Sequence, residues 1–278
     1  MQVDFYMNEL PDNERQAFAT ILTIIRNECK VPESVISKST VYRFLKSKNF
    51  NIAEAKTEIL DHVAWRQSKN WTELADIDTE IWNFVFTGVK IGYIGEDSYG
   101  RPIRIVQPQD VDLTQFFVKY GPEVFERVQI GMMERLVNII LESCSRKNNK
   151  LIHSIISIVY VKHVQVSKIL TNSQLISFMK SKSAVFQKNY PELAHRAIII
   201  NAGSVFYTLW KVISLFINKN TLEKIQILNT GYFHELLKIT TIDNIPAELN
   251  GTSPYEIDNY PNHFDQQMYQ SFLNKRLT

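Results

Sequence analysis

The stretch Asn189 to Leu228 constrains the fold of this chain more than any other. It reads as a short apolar strand, Ala197 to Asn201, a turn at Ala202, Gly203 and Ser204, a helix, and a second apolar strand opened by Thr221. Within the helix, Thr208, Lys211 and Ser214 form one narrow polar stripe, while Phe206, Tyr207, Leu209, Trp210, Val212, Ile213, Leu215, Phe216 and Ile217 cover the rest of the circumference. A surface helix needs an apolar stripe only about 100° wide. A helix this apolar is buried on most sides, lies against a membrane, or closes over an apolar ligand. Ala197 to Ile217 is about long enough to span a bilayer, but the Asn201–Ser204 break and Lys211 fit two elements better than one span.

The other elements follow from periodicity. Pro11 and Asp12 introduce a helix with Phe18, Ile21, Leu22 and Ile25 on one face. A second begins near Thr40, with Val41, Phe44 and Leu45 on one side, and Asn51 caps a third in which Ile52, Ala55, Ile59, Leu60 and Val63 recur at three and four residues. Trp82, Phe84 and Phe86 alternate among the glycines that follow. Glu123 to Leu141 is a long helix buried through Val124, Val128, Met132, Leu136 and Ile139. Leu151 to Val161 is nearly continuously apolar and rich in Ile and Val, as in a central strand covered on both faces. With the returning helix Asn172 to Lys188, strands alternate with helices, which predicts an α/β fold. The tail after Thr252 is expected to wrap the body through Phe264, Met268 and Phe272.

The 278 residues are 45% apolar and 22% charged, the composition of a globular protein. The net charge of +2 gives no case for a nucleic-acid partner. Cys29 and Cys144 form no disulfide or zinc pattern, and the first thirty residues lack a leader, so the cytoplasm is the expected location. Signatures of catalysis are missing: there is no Gly-x-Ser-x-Gly, no phosphate loop and no Cys-x-x-Cys, and His234-Glu235 has Lys at position 238 where a zinc protease needs its second His. No enzymatic activity, metal or cofactor is expected.

Several segments, in order and at similar spacing between about Val41 and Gly251, resemble the CRAL-TRIO lipid-binding family, and within it the phosphatidylinositol transfer proteins of the fungal secretory pathway. They are Tyr42 to Arg66, Gly100-Arg-Pro-Ile-Arg-Ile-Val106, Asn189-Tyr-Pro-Glu192, the Ile-Ile-Ile-Asn strand ending at Asn201, and Thr-Leu-Glu-Lys-Ile at 221–225. The resemblance implies a helical N-terminal module over 1–80, a lipid domain over 81–251 with a mixed or parallel sheet, covering helices and a gated apolar cavity, and a tail over 252–278. It implies that Lys48, Glu192, Thr221 and Lys224 bind an inositol-phospholipid head. The family position after Lys48 is typically basic but is Asn49 here. Lysines supply charge to a phosphodiester, Thr221 a hydroxyl, and Glu192 an acceptor for inositol hydroxyls or lysine.

The same resemblance makes Phe206, Trp210, Ile213, Phe216 and Ile217 a gate. A second-ligand pocket falls at Tyr93, Arg104, Ile155 and Ser157, where only Tyr93 keeps the pattern that accepts phosphatidylcholine, so a different second lipid is expected. The expected function is soluble transfer or presentation of phosphatidylinositol, with transient membrane contact and a lipid kinase as a candidate partner. Two alternatives stand beside it: carriage of another hydrophobic ligand such as a sterol, an isoprenoid or haem, the last through Tyr160 and His163, and a lipid-independent interaction module.

Overall fold

Period-four apolar spacing governs the N-terminal stretch, and three helices result: α1 (Asp12–Thr23), α2 (Lys38–Ser47) and α3 (Ile52–Ser68). The Ser37 hydroxyl accepts from the Thr40 amide at 3.3 Å, and the Asn51 side chain accepts from Ala53 and Glu54, so α2 and α3 each start at a side-chain cap. Phe18, Ile21, Ile25, Val41, Phe44 and Ile59 close one core, which Leu151 joins from the body of the protein. The computed structural model describes residues 5–7, 9–69, 81, 89–108 and 113–253. The alternation at Trp82, Phe84 and Phe86 and the tail residues Phe264, Met268 and Phe272 lie outside them.

The strands β1 (Val89–Glu96), β2 (Pro102–Pro108), β3 (Ile155–Tyr160), β4 (Ala194–Ile200) and β5 (Ile225–Leu228) form one sheet in that spatial order. β1 and β2 are antiparallel and the other pairs parallel, so the sheet is mixed and β3 is central, as its apolar run predicts. The helices are α4 (Leu113–Tyr120), α5 (Pro122–Arg135), α6 (Leu141–Asn148), α7 (Val166–Leu170), α8 (Ser173–Asn189), α9 (Ser204–Ile213), α10 (Lys219–Leu222) and α11 (Tyr232–Leu236). No helix among the described residues is long and apolar enough to cross a membrane.

Four boundaries depart from the sequence reading. The strand expected over Ala197–Asn201 starts at Ala194, and Asn201 leaves it at φ 57°. Thr221 opens no strand: it sits in the single turn of α10, where its amide donates to the Asn218 side chain at 2.8 Å, and β5 follows from Ile225. Only Ile155–Tyr160 of the apolar run Leu151–Val161 is extended. The helix expected over Glu123–Leu141 is α5 and α6 joined through a wide turn at Leu136–Ile140. That turn rotates the residues within and after it, so Val137, Ile140 and Leu141 are buried; before it, Val124 and Met132 are only half-buried.

The pleat gives the sheet two different faces. Ile103, Ile105, Ile156, Ile158, Ile198 and Ile200 point to one, under Leu236, Ile245 and Leu249. On the other, strand register aligns Tyr93, Arg104, Ser157, Ala197 and Ile225 in one row, and Ile91, Val106, Val159, Ile199 and Ile227 in the next.

A buried polar network ties the N-terminal helices to this sheet. Arg66 reaches Glu134 at 2.7 Å, Tyr190 and Asn138 donate to the same carboxylate at 2.8 Å each, and His62 bonds the Asn189 side chain at 3.1 Å. Burial, with Arg66 and Arg43 nearby, lowers the His62 pKa from 6.5 to about 3, although the Asn189 bond opposes the shift. The unfolded chain therefore binds a proton at this ring that the folded one refuses, so the stabilisation is complete above 6.5 and is lost as pH falls toward 3. Between pH 7 and pH 5 this ring should remove about 2 kcal/mol of unfolding free energy. Burial lowers His153 and His195 as well, which adds to the same trend. Urea unfolding at the two pH values should show the loss, and His62→Gln should flatten it; an unchanged slope in that variant would exclude the ring as a contributor.

Candidate functional site

The polar end of the site is assembled where β4 and β5 begin. Pro191 and Glu192 form the turn into β4, and Glu192 is held at φ 52°, a left-handed conformation that costs a non-glycine residue roughly 1 kcal/mol or more. Two sets of contacts hold it there. On one side Tyr190 and Asn189 are anchored to Glu134 and His62; on the other the Glu192 carboxylate accepts from Lys224 at 3.0 Å and from Asn220. Lys224 cannot drift, because its carbonyl accepts from the Ala197 amide and registers β5 against β4. Lys48 closes the C-terminus of α2 and pairs with Glu58 of α3 at 3.1 Å. Asn49 and Phe50 both turn left-handed after it, a demand that Asn meets more readily than a long basic side chain. Asn49 is exposed and does not join the site.

These elements enclose a cavity of about 940 Å³, at the upper end of the range for small-molecule sites. Its wall brings together all of Lys48, Glu192, Thr221 and Lys224, and beyond them Arg104, Ile155 and Ser157. Apolar surface comes from Phe44, Met133 and Phe186. Tyr93 is absent from the wall: it lies in register beside Arg104 but is buried against Leu136 and Val137. The described wall holds no histidine or cysteine, and both of its glutamates are engaged by lysines. It is a surface for binding charge at one end and apolar matter at the other.

None of Phe206, Trp210, Ile213, Phe216 and Ile217 lines this cavity. Instead α9 rests beside it, on the aliphatic row of the same sheet face. Phe206, Leu209, Trp210 and Ile213 pack over Val159, Ile199 and Ile227, with Phe206 and Leu209 only 7% and 2% exposed. The outer side is also apolar, with Val205 63% exposed and, in the single turn Ser214–Phe216 that continues the helix, Leu215 79% exposed. At the end of this segment the Phe216 carbonyl accepts from Ser183 at 2.8 Å and from the Gln187 amide at 2.7 Å, and the Gln187 oxygen accepts from the Asn218 amide.

Sequence reasoning missed Glu58, Asn220 and Gln187. The Asn218-Lys-Asn-Thr221 run carries a cap signal that would have placed Thr221 in a helical turn, whereas nothing local marks Gln187. Tyr160 and His163, the pair considered for iron, lie apart from the cavity. Tyr160 packs on the opposite sheet face, and the two rings meet edge to face at 6.0 Å.

A CRAL/TRIO domain model matches residues 86–251, which includes all five strands and most of the cavity wall. The chain is 28% identical over 248 residues to phosphatidylinositol/phosphatidylcholine transfer protein SFH11 of Arabidopsis thaliana, covering 87% of this chain and 64% of that protein. It is 26% identical over 225 residues to SEC14 cytosolic factor of Kluyveromyces lactis, covering 78% and 72%. The crystal structure of Sfh5 superposes with a TM-score of 0.64 at 19% identity, over 95% of this chain and 98% of that one, and shares the fold. Since the matching model spans more than half of the residues and the whole sheet, the chain belongs to the CRAL/TRIO domain family.

Proposed function

We propose that this protein binds phosphatidylinositol in the cavity and exchanges it with membranes, without covalent chemistry. The observation that carries this reading is the amphipathic character of one enclosed space. Its polar rim presents two lysines, a glutamate and a threonine, its wall adds Phe44, Met133 and Phe186, and beside it the same sheet face is purely aliphatic where α9 covers it. Acyl chains need such an enclosure, since each buried CH₂ is worth roughly 0.8 kcal/mol. The names of the SFH11 and SEC14 relatives support the same ligand class. In this reading Lys48 and Lys224 hold the phosphodiester, Glu192 and Thr221 the inositol hydroxyls, and a second lipid occupies the region of Arg104, Ile155 and Ser157. The protein works in the cytoplasm, touches membranes transiently, and hands its lipid to a bilayer or to a lipid kinase. Mass spectrometry of lipid retained by the purified protein tests the reading directly; protein carrying no lipid would favour an interaction module instead.

The ion pair at Lys224 generates one quantitative expectation. A hydrogen bond to a charged group contributes about 1.5–3 kcal/mol, so Lys224→Ala should lower phosphatidylinositol loading by about tenfold or more. Glu192 keeps its Asn220 donor in the variant, and the fold should persist. Equal loss for every lipid offered, measured in parallel loading assays, would remove Lys224 from head-group recognition.

The outer face of α9 generates another. In this reading α9 is the gate, and its apolar outer side is received by the bilayer when it opens. Phe216 is half-buried, so a charge there would confuse gating with folding, whereas Leu215 stands in solvent. Leu215→Asp should leave thermal stability within about 0.5 kcal/mol and slow transfer between vesicles by about tenfold, because a carboxylate resists entry into the bilayer. Parental transfer rates in both Leu215→Asp and Val205→Asp would reduce the helix to ordinary core with an exposed back.

A further inference from the structure

Strand register sets Arg104 between Tyr93 and Ser157 in the cavity-facing row. Ala197, the neighbour of Ser157 in that row, is three residues into β4. Arg104 on β2 lies three strands across the sheet from Ile225, which directly follows the rim residue Lys224, a separation of about 14 Å. The Arg104 guanidinium is sunk within the protein, and the surface it keeps faces the cavity. Its Nη2 donates to the Ser157 hydroxyl at 3.3 Å, and its buried Nε has no partner.

The other cations on the described wall are differently placed. Lys48 has Glu58 at 3.1 Å, Lys224 has Glu192 at 3.0 Å, Lys188 has Asp61 at 3.3 Å and Lys219 has Glu223 at 3.9 Å. Arg104 has the Ser157 hydroxyl and the Tyr93 phenol for neighbours, and no carboxylate pairs with it among the described residues. A buried charge without a counter-charge is strongly destabilising. Burial does not dispose of it by neutralisation, because arginine keeps its proton in proteins. With no counter-charge among the described residues, that balance falls to something that enters the cavity.

We infer that Arg104 and Ser157 form an anion-binding subsite in the cavity, separate from the polar rim, which takes a lipid whose head is a carboxylate or a phosphate monoester. The inference rests on the lipid-carrier reading and names the class of its second ligand. The planar guanidinium matches the two oxygens of such a group in a forked arrangement, and Ser157 adds a third donor. Zwitterionic phosphocholine brings no net charge to balance Arg104 and places a second cation in the same enclosed space. Ile155, two residues before Ser157 on the same strand face, offers that ammonium no polar contact.

The test is displacement of a fluorescent phosphatidylinositol from the full chain by dioleoyl phosphatidic acid, oleate or dioleoyl phosphatidylcholine, each offered in otherwise identical vesicles. Wild-type protein should prefer at least one of the anionic competitors over phosphatidylcholine by about tenfold. Preference for oleate assigns a carboxylate, and preference for phosphatidic acid assigns a phosphate monoester. Arg104→Gln should abolish the preference, and Arg104→Lys, which keeps the charge but not the fork, should retain part of it. Equal displacement by all three competitors from wild-type protein overturns the inference, and so does an Arg104→Gln protein with the preference intact. Should Arg104→Gln fail to fold, the wild-type preference and the Arg104→Lys protein decide. A chain that never loads phosphatidylinositol sinks the carrier reading itself, whereas one that loads it without discriminating the competitors sinks only this subsite.

Discussion

Glu134 is the group on which the arrangement of the cavity depends. Its carboxylate lies inside the protein on α5 and accepts from Arg66 of α3, from Asn138 one turn further along its own helix, and from Tyr190 at the entrance to β4. Three separate parts of the chain thus converge on one charge. Removal of Arg66 leaves a buried ion without its counter-charge, an effect of about 3–5 kcal/mol in comparable pairs. The reach of this interaction extends past stability. Tyr190 precedes Pro191 and the left-handed Glu192, so the carboxylate that pairs with Lys224 is positioned by the one that pairs with Arg66. Arg43, wholly buried nearby and bonded to Thr40, adds a further positive charge to the network, and desolvation lowers its pKa from 12.5 to about 10.

Polar rim and apolar helix share a second junction. Gln187 grips both sides of the peptide segment that follows α9, donating to the Phe216 carbonyl and accepting from the Asn218 amide. Asn218 in turn caps α10, which carries Thr221. The end of the apolar helix and the start of the polar rim are therefore two ends of one short, doubly hydrogen-bonded connection. Lifting α9 off Val159, Ile199 and Ile227 would expose apolar surface worth about 25 cal/mol per Å². That penalty disappears only where another apolar phase receives the surface, which suits a helix whose outer side already shows Val205 and Leu215.

Much of this was legible in the sequence because the signals were local. Apolar spacing found the buried sides of α1, α2 and α3, the Asn51 cap announced itself, and a run rich in Ile and Val marked the central strand. The early residues of β4 were hidden because His195 and Arg196 interrupt the apolar pattern where the sheet face meets charged neighbours such as Glu235. Thr221 was misread as extended because the apolar run after it masked the Asn218 cap. Spacing also contained an argument left unused: Ser157 and Tyr160 are three residues apart on one strand, so the pleat sends them to opposite faces, and an iron ligand at Tyr160 cannot share the Ser157 cavity. The partners of Lys48 and Lys224, the grip of Gln187 and the burial of Tyr93 away from the wall depend on tertiary approach, and no periodicity encodes them.

If α9 is the gate proposed above, charge and gating meet at Arg104. An ion in a low-dielectric interior demands solvation from whatever is present, so a cavity without a counter-ion must admit water around the guanidinium. Water in that row would lie one strand step from the aliphatic row that α9 covers, opposing tight closure of the helix over the sheet. A net-anionic lipid head removes the demand, and its tails extend the apolar contacts. A ligand shifts an opening equilibrium only by as much as it favours one state over the other. On the proposed reading, charge neutralisation in the cavity would supply that difference for an anion and withhold it from a zwitterion, so the residue proposed to select the ligand would also bias the helix toward closing over it.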